Sequence, residues 1–263
     1  MSKFSYRPLL RDLTAKALRE QWDPYEAYRY FLHIERSLGL ERRTYLSTVI
    51  TSGGHLYDPH NKKIEDVIER NTTSAILLTT QLVDDNQIVP ESSIEPYMLG
   101  YTGWKQSEYL EFWLMVIGGL ELDDDSDIDV IRTRHRIALE HAGVDLMRFN
   151  SHVDPEKRAQ EYFTMGATFA TLYEKEFRIN PMKRMVRLID PDKSLGAQTE
   201  RVFARCIGMP VFTVTVVSST DPDSLFDVNQ TLAEDTQRLI SFGATVFDTA
   251  HHRTRLMIIQ EKS

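Results

Sequence analysis

The spacing of hydrophobic and polar positions predicts that helices and strands alternate along most of the chain. In residues 8–38, apolar side chains recur with a helical period, which predicts two helices. Asp23 and Pro24 have the residue types preferred at a helix N-cap and in a first turn, and they mark the start of the second helix. Residues 43–54 (RTYLSTVITSGG) are rich in β-branched and aromatic residues, which predicts a strand that ends at a glycine pair.

The same patterns continue to the C-terminus. Further helices are predicted at residues 63–86, 107–120, 128–148, 155–178, 195–208 and 223–243. Further strands are predicted at residues 87–92, 183–190, 211–217, 244–250 and 253–260. Strands separated by helices are typical of βαβ crossovers, which build parallel sheets.

We therefore predict an α/β fold with a Rossmann-like, doubly wound and mainly parallel sheet. Residues 1–40 form a helical N-terminal extension in this interpretation, and residues 41–263 form the Rossmann-like domain. A helical insertion at about residues 121–178 interrupts that domain. Ligands of such sheets bind beyond the carboxyl ends of the strands, so the loops at that edge are the places to look for a site.

Composition narrows the classes of function. The 263 residues carry a net charge of −8, and this balance argues against a broad nucleic-acid interface. The most apolar run, residues 112–120, is too short to span a bilayer, and the N-terminus has no signal-peptide core. Cys206 is the one cysteine, which predicts a cytoplasmic protein without an internal disulfide. We expect Cys206 to lie on an apolar helix face, in the core.

The charged and glycine-rich stretches do not indicate a binding site for a metal or a cofactor. The acidic run at residues 121–129 is interpreted as the solvated start of a helix, with a metal site as the alternative. No His, Cys and Asp spacing indicates zinc, and neither G-x-G-x-x-G nor a P-loop is present. The sequence therefore predicts neither a metal nor a cofactor.

Two loops lie at the predicted carboxyl edge of the sheet. The first contains Ser52, Gly53 and Gly54, where backbone without side chains can approach a ligand closely. The second opens the helix at 195–208 and contains Ser194, Gly196 and Ala197. A helix N-terminus attracts an anion such as phosphate, although a turn role for the glycines and an N-cap role for Ser194 are the alternatives. Glu200 follows in the first turns of the same helix, where a carboxylate also suits the helix dipole.

These stretches resemble a known family. SLGAQTERVFARCIGMP at residues 194–210, together with YLSTVITSGG at residues 45–54, is similar to the nucleoside 2-deoxyribosyltransferase superfamily. The closest likeness is to its 2′-deoxynucleoside 5′-monophosphate N-glycosidase branch. The resemblance covers residues 43–90 and 183–217, and it keeps Ser194, Gly196 and Glu200 at the family spacing.

The resemblance implies roles for these residues. Glu200 matches the family nucleophile, which attacks the anomeric carbon of the sugar. The 5′-phosphate contacts would come from two groups, Ser52, Gly53 and Gly54 in the first loop and Ser194, Gly196 and Ala197 in the second. The chemistry explains the arrangement, because a fixed carboxylate stabilises or traps the oxocarbenium character that builds up when the N-glycosidic bond breaks.

The sequence departs from the family at the catalytic strand. Where the family has an aspartate that binds the sugar or protonates the base, this chain has Lys183-Arg184. Asp190 and Asp192 are the nearby candidate replacements, and a turn role is the alternative for each. Tyr57 and Trp104 are candidates to contact the base or sugar, with core or interface packing as the alternative for Trp104.

The predicted function is cleavage of the N-glycosidic bond of a (deoxy)nucleoside 5′-monophosphate, by hydrolysis or by base exchange. An NAD glycohydrolase and a non-catalytic nucleotide sensor or scaffold remain as alternatives. The partner is then a small nucleotide, with neither nucleic acid nor membrane. Apolar faces on the added helices also predict a homodimer, with packing of these helices on the core of their own chain as the alternative. The residues of these faces are Tyr25, Tyr28, Phe31, Leu32, Tyr162, Phe163, Phe169 and Leu172.

Overall fold

A computed structural model describes the following residues of the chain: 7–38, 41–42, 44–47, 87–88, 103–122, 128–188, 194–218, 245–249 and 254–261. The helices within this part are α1 (Arg7–Glu20), α2 (Pro24–Leu38), α3 (Gln106–Gly118), α4 (Ile128–His141), α5 (Pro155–Glu176) and α6 (Leu195–Cys206). The strands are β1 (Glu41–Arg42), β2 (Thr44–Ser47), β3 (Gln87–Ile88), β4 (Arg184–Leu188), β5 (Val211–Ser218), β6 (Thr245–Thr249) and β7 (Thr254–Gln260).

A five-stranded sheet with the order β2-β4-β5-β7-β6 forms the centre of the fold. Strands β2, β4 and β5 are parallel, and α6 makes the crossover from β4 to β5. The α/β prediction is therefore confirmed for this part of the sheet. Strand β7 runs antiparallel to both of its neighbours, β5 and β6. The β6–β7 pairing is antiparallel because residues 250–253, which connect these two strands, are too few for a parallel crossover and long enough for a hairpin.

Local sequence signals fix the helix ends. At the start of α2, Oδ1 of Asp23 accepts hydrogen bonds from the backbone N–H groups of Tyr25 and Glu26, and the Glu26 carboxylate accepts from the N–H of Asp23. This reciprocal pairing is a capping box. The predicted helix at 128–148 is too long, since α4 ends at His141. Gly143 has a φ of 79°, a left-handed conformation that ends the helix.

The added helices pack on the same core as the sheet. Helix α3 is buried over most of its length and packs against α2 and α6, and α6 also packs against α5. One hydrophobic cluster joins side chains from all six described helices to Tyr45 of β2 and Met185 of β4. A hydrophobic core of this extent is the main favourable contribution to folding.

The apolar faces that suggested a homodimer are mostly covered within the chain. Seven of the eight side chains are buried: Tyr25, Tyr28, Phe31, Leu32, Tyr162, Phe169 and Leu172. Phe163 is half-buried against the same cluster. Intrachain packing thus accounts for these faces, and the homodimer stays a prediction.

Two further expectations concern single features. Cys206 is exposed, so its expected place in the core is wrong; it occupies the last turn of α6, on the side away from the helix contacts. Among the described residues, no helix is long and apolar enough to cross a membrane. The predicted helices at 63–86 and 223–243 lie outside the described residues.

Candidate active site

Helix α6 carries Glu200 onto one face of the parallel strands. Ser194 is the N-cap of this helix, and its Oγ accepts a hydrogen bond of 3.3 Å from the backbone N–H of Ala197. The helix lies close to α5, because a Cβ atom at Gly166 would stand 2.8 Å from the carbonyl oxygen of Thr199. This close approach needs a glycine, and it fixes the depth at which Glu200 enters the core.

The Glu200 carboxylate is buried, with 3% of the residue exposed, and each of its oxygens accepts a hydrogen bond from a hydroxyl group. Tyr45 Oη donates to Oε1 over 2.8 Å, and Ser47 Oγ donates to Oε2 over 2.5 Å. Tyr45 and Ser47 are two residues apart in β2, so their side chains project from the same face of the sheet. Strand β2 and helix α6 thus hold the carboxylate in one orientation.

The surroundings set the protonation of this carboxyl. Burial raises the pKa of Glu200 to about 7, against the opposing effects of the hydrogen bonds from Ser47 and Tyr45 and of the positive charge of Arg187. Near neutral pH, both the carboxylate and the carboxylic acid are therefore populated. A carboxyl with this property can act as a nucleophile or exchange a proton.

Arg187 continues this polar arrangement across the sheet. It is aligned with Ser47 on β2 and with Thr213 on β5, and only 2% of it is exposed. Its Nη1 donates to Oε1 of Glu261 over 3.0 Å. The buried guanidinium group of Arg187 thus binds Glu261 directly and acts on Glu200 through its charge.

Glu261 follows β7 and accepts hydrogen bonds from four side chains. Besides Arg187, the donors are Thr213 Oγ1 at 2.6 Å, Arg201 Nε at 2.8 Å and Arg205 Nη2 at 2.8 Å. Burial opposes ionisation, but the hydrogen bonds from Thr213, Arg187 and Arg201 and the charge of Arg187 outweigh it and lower the pKa of Glu261 to about 2. Glu261 is therefore ionised throughout the physiological range.

Three of the remaining residues predicted for the site are described by the structure, and the others are not. Gly196 and Ala197 lie in the first turn of α6 beside Ser194, where Gly196 is half-exposed and Ala197 is buried. Trp104 is 8% exposed, and its Nε1 donates to the backbone oxygen of Trp22, a position of core packing near the start of α3. The other predicted residues lie outside the described residues: Ser52, Gly53, Gly54, Tyr57, Asp190 and Asp192.

The sequence patterns alone did not identify four side chains of this site, which are Tyr45, Ser47, Arg187 and Glu261. Tyr45 and Ser47 carry a signal in their spacing, because hydroxyl groups at alternate positions of a buried strand share a face. Arg187 also carries one, since a charged residue inside an apolar strand needs a buried partner. Glu261 carries no signal, because a glutamate is ordinarily a surface residue.

A second buried polar cluster lies among the helices. Tyr25 Oη donates to Glu111 at 3.2 Å and lies 3.0 Å from His135 Nδ1. The ring of His135 packs against Phe169, with ring centres 4.4 Å apart. Burial lowers the pKa of His135 to about 3 and raises that of Glu111 to about 8, so both are neutral at pH 7. This cluster joins α2, α3 and α4 away from the residues that contact Glu200.

Comparison of the chain with protein-family models, with curated proteins and with solved structures gives no match. Among the described residues, no group of three or more His, Cys, Asp or Glu side chains is placed to hold a metal ion.

Proposed function

We propose that the protein cleaves the N-glycosidic bond of a (deoxy)nucleoside 5′-monophosphate and that Glu200 is the nucleophile. The observation that supports this most is the buried Glu200 carboxylate with one hydroxyl donor on each oxygen. Among the described residues, Glu200 has no direct ion pair; burial of such a carboxylate is costly for folding, and such costs concentrate at functional sites. Its position in α6 also matches the family spacing from Ser194.

The reaction follows from the chemistry of this carboxylate. An oxygen of Glu200 attacks the anomeric carbon as the bond to the base nitrogen breaks, and the base leaves with the bonding electrons. A general acid supplies a proton to the departing base, and Asp190 is the residue that we propose for this step. Water then attacks the glycosyl ester and releases the sugar phosphate, or a second base takes its place.

Tyr45 and Ser47 have a defined part in this scheme. Their hydrogen bonds favour the ionised form of Glu200 and hold both oxygens in place, so that the carboxylate meets the anomeric carbon in one orientation. A donor on each oxygen also moderates the nucleophile, which lets the glycosyl ester hydrolyse again. The site thus favours a transient covalent intermediate.

The 5′-phosphate is proposed to bind at the N-terminus of α6. Ser194 caps this helix, and the N-terminal N–H groups with the helix dipole favour an anion. The loop with Ser52, Gly53 and Gly54 would close the other side of the phosphate. We also propose that the three parallel strands belong to a Rossmann-like, doubly wound sheet and that the protein acts in the cytoplasm.

Base release tests this proposal. The protein is incubated with a panel of ribo- and deoxyribonucleoside 5′-monophosphates, with the matching nucleosides and with NAD, and free base is measured by chromatography. We expect base from at least one monophosphate and none with the Glu200→Gln variant. Nicotinamide from NAD alone would support the glycohydrolase alternative, and binding without turnover would support the sensor alternative; either result contradicts the proposed reaction.

A further inference from the structure

The buried guanidinium group of Arg187 acts on two carboxylates, buried Glu200 and half-buried Glu261. Arg187 lies on the face of the sheet that α6 covers, aligned with Ser47 on one side and with Thr213 on the other. Ser47 binds Glu200, and Thr213 binds Glu261. The sheet register therefore forces both acids to interact with the same positive charge, the one by its field and the other by a direct hydrogen bond.

We propose that Glu261 is a positioning residue for Glu200, because it holds the Arg187 guanidinium on the β5 side of the sheet and limits the positive charge that acts on the nucleophile. This inference rests on the proposed function, because Glu200 is a nucleophile only if that proposal holds. The charge effect itself involves only the side chains of Glu200, Arg187 and Glu261. It gives Glu261, which follows β7, a role in the site.

The contacts of Glu261 show why it can hold Arg187. Its two oxygens accept hydrogen bonds from β4, β5 and α6, and its own backbone N–H donates to the carbonyl oxygen of Val211. A carboxylate fixed from three elements cannot follow the arginine toward Glu200. Multiple hydrogen bonds from guanidinium groups to a carboxylate are also among the strongest in proteins.

The surroundings of Glu200 show why the place of Arg187 matters. Among the described residues, the groups that act on the ionisation of Glu200 are Ser47 and Tyr45 from β2 and Arg187 from β4. Helix α6 carries Thr199 and Arg201 on either side of Glu200 in sequence, and Arg201 binds Glu261. Charge interactions are strong in a buried site, because little water screens them. A change in the net charge around Arg187 therefore reaches Glu200.

The direction of the effect follows from charge. Glu261 neutralises part of the Arg187 charge, and loss of the Glu261 charge increases the positive charge that acts on Glu200. The ionised form of Glu200 then gains stability, and its pKa falls. A nucleophile with a lower pKa is ionised over a wider pH range but is a weaker base.

Carbon NMR of the substrate-free protein tests this proposal. The side-chain carboxyl carbons of glutamate are labelled, and the signal that is lost in Glu200→Gln is assigned to Glu200. The signal that is lost in Glu111→Gln is assigned to Glu111, because its pKa of about 8 places its titration in the same pH range. We expect Glu261→Gln to lower the midpoint of the Glu200 titration by about one pH unit, as expected for an unmasked neighbouring charge. Glu176→Gln, which removes a carboxylate paired with Arg134 at the surface, is the matched control and leaves the midpoint unchanged.

Glu261→Asp keeps the charge but withdraws the oxygens from Arg187, and we expect an intermediate midpoint. It also serves as the test if Glu261→Gln does not fold. An unchanged Glu200 midpoint in a folded Glu261 variant would overturn the proposal and assign Glu261 a structural role only. Because the titration uses no substrate, a shifted midpoint in a protein that releases no base would contradict the proposed function alone.

Discussion

The phenolic oxygen of Tyr45 lies 2.8 Å from Oε1 of Glu200, across a sequence separation of 155 residues. This contact joins the first strand of the parallel sheet to the helix between its second and third strands. Tyr45 itself packs against Trp113, with ring centres 5.7 Å apart, so the donor is held by the core. The carboxylate is therefore oriented by a side chain that is packed in the core, which is the arrangement a reacting group needs.

The first prediction concerns the two hydroxyl donors. Tyr45→Phe and Ser47→Ala each remove a hydrogen bond that favours ionised Glu200, so each raises its pKa above the value of about 7. In the pH profile of kcat/KM for base release, we expect the acidic limb to move to higher pH by about one unit for each variant. Profiles that superimpose on the wild type would show that the two hydroxyl groups do not act on the nucleophile.

The second prediction concerns stability and pH. The pKa of Glu200 is about 7 in the folded protein against a reference of 4.5, so folding favours its protonated form. The contribution of Glu200 to stability is full below pH 4.5 and is lost as the pH rises through 7.

Glu200→Gln cannot ionise and therefore escapes this loss. Relative to the wild type, we expect the variant to gain about 3 kcal/mol of unfolding free energy between pH 4 and pH 8, as a shift of this size implies. Urea denaturation at a series of pH values measures the difference. A difference that stays constant with pH would mean that Glu200 titrates normally.

The third prediction concerns His135, which is buried between aromatic rings of α5 and hydrogen-bonded to Tyr25. Its pKa is about 3 in the folded protein against 6.5, so the stability that it contributes is present above pH 6.5 and is lost as the pH falls toward 3. His135→Phe removes the titrating group and keeps the ring.

We expect the stability of the His135→Phe variant, relative to the wild type, to rise by about 1.4 kcal/mol for each pH unit below 6. Thermal unfolding between pH 4 and 7 checks this, with the exposed His152 replaced by Gln as the control. Parallel stability curves for His135→Phe and the wild type would contradict a buried, neutral His135.

The fourth prediction concerns Ser194 and compares two N-caps. Ser194 caps α6 at the proposed phosphate site, and Asp154 caps α5 away from it. Ser194→Ala and Asp154→Ala each remove a cap, which costs about 1 kcal/mol of stability. We expect only Ser194→Ala to raise KM for a 5′-monophosphate, by about tenfold, since a hydrogen bond to a charged group is lost. An equal loss for the unphosphorylated nucleoside would refute a phosphate contact.

The sequence predicted where the helices and strands lie better than it predicted which neighbouring strands run parallel and which run antiparallel. The strands around Met185 and Val211 and the helix between Ser194 and Gly208 follow from apolar periodicity and from cap residues. The antiparallel end of the sheet does not, because the short connection between β6 and β7 decides its direction and the propensity of the strand residues does not.

In the candidate site, too, local sequence predicts some residues, and strand pairing decides the others. Glu200 is visible in the sequence because its spacing from Gly196 belongs to a local motif. Tyr45 and Arg187 carry a signal in the sequence, but their relation to Glu200 follows only once the register of β2 and β4 is known, since side chains far apart in sequence meet there. Glu261 needs the whole sheet, because its role depends on Thr213 and Arg187 on two other strands.

The central claim is that Glu200 forms a covalent bond to the sugar, and trapping of that intermediate tests it most directly. The protein is incubated with a 2′-fluoro-2′-deoxyarabinonucleoside 5′-monophosphate whose base the enzyme releases, because the fluorine slows hydrolysis of the glycosyl ester. Mass spectrometry of the digested protein should show one fluorinated sugar phosphate on the peptide that contains Glu200, and none in Glu200→Gln. Release of base with the sugar on another residue, or undiminished release by Glu200→Gln, would contradict the claim.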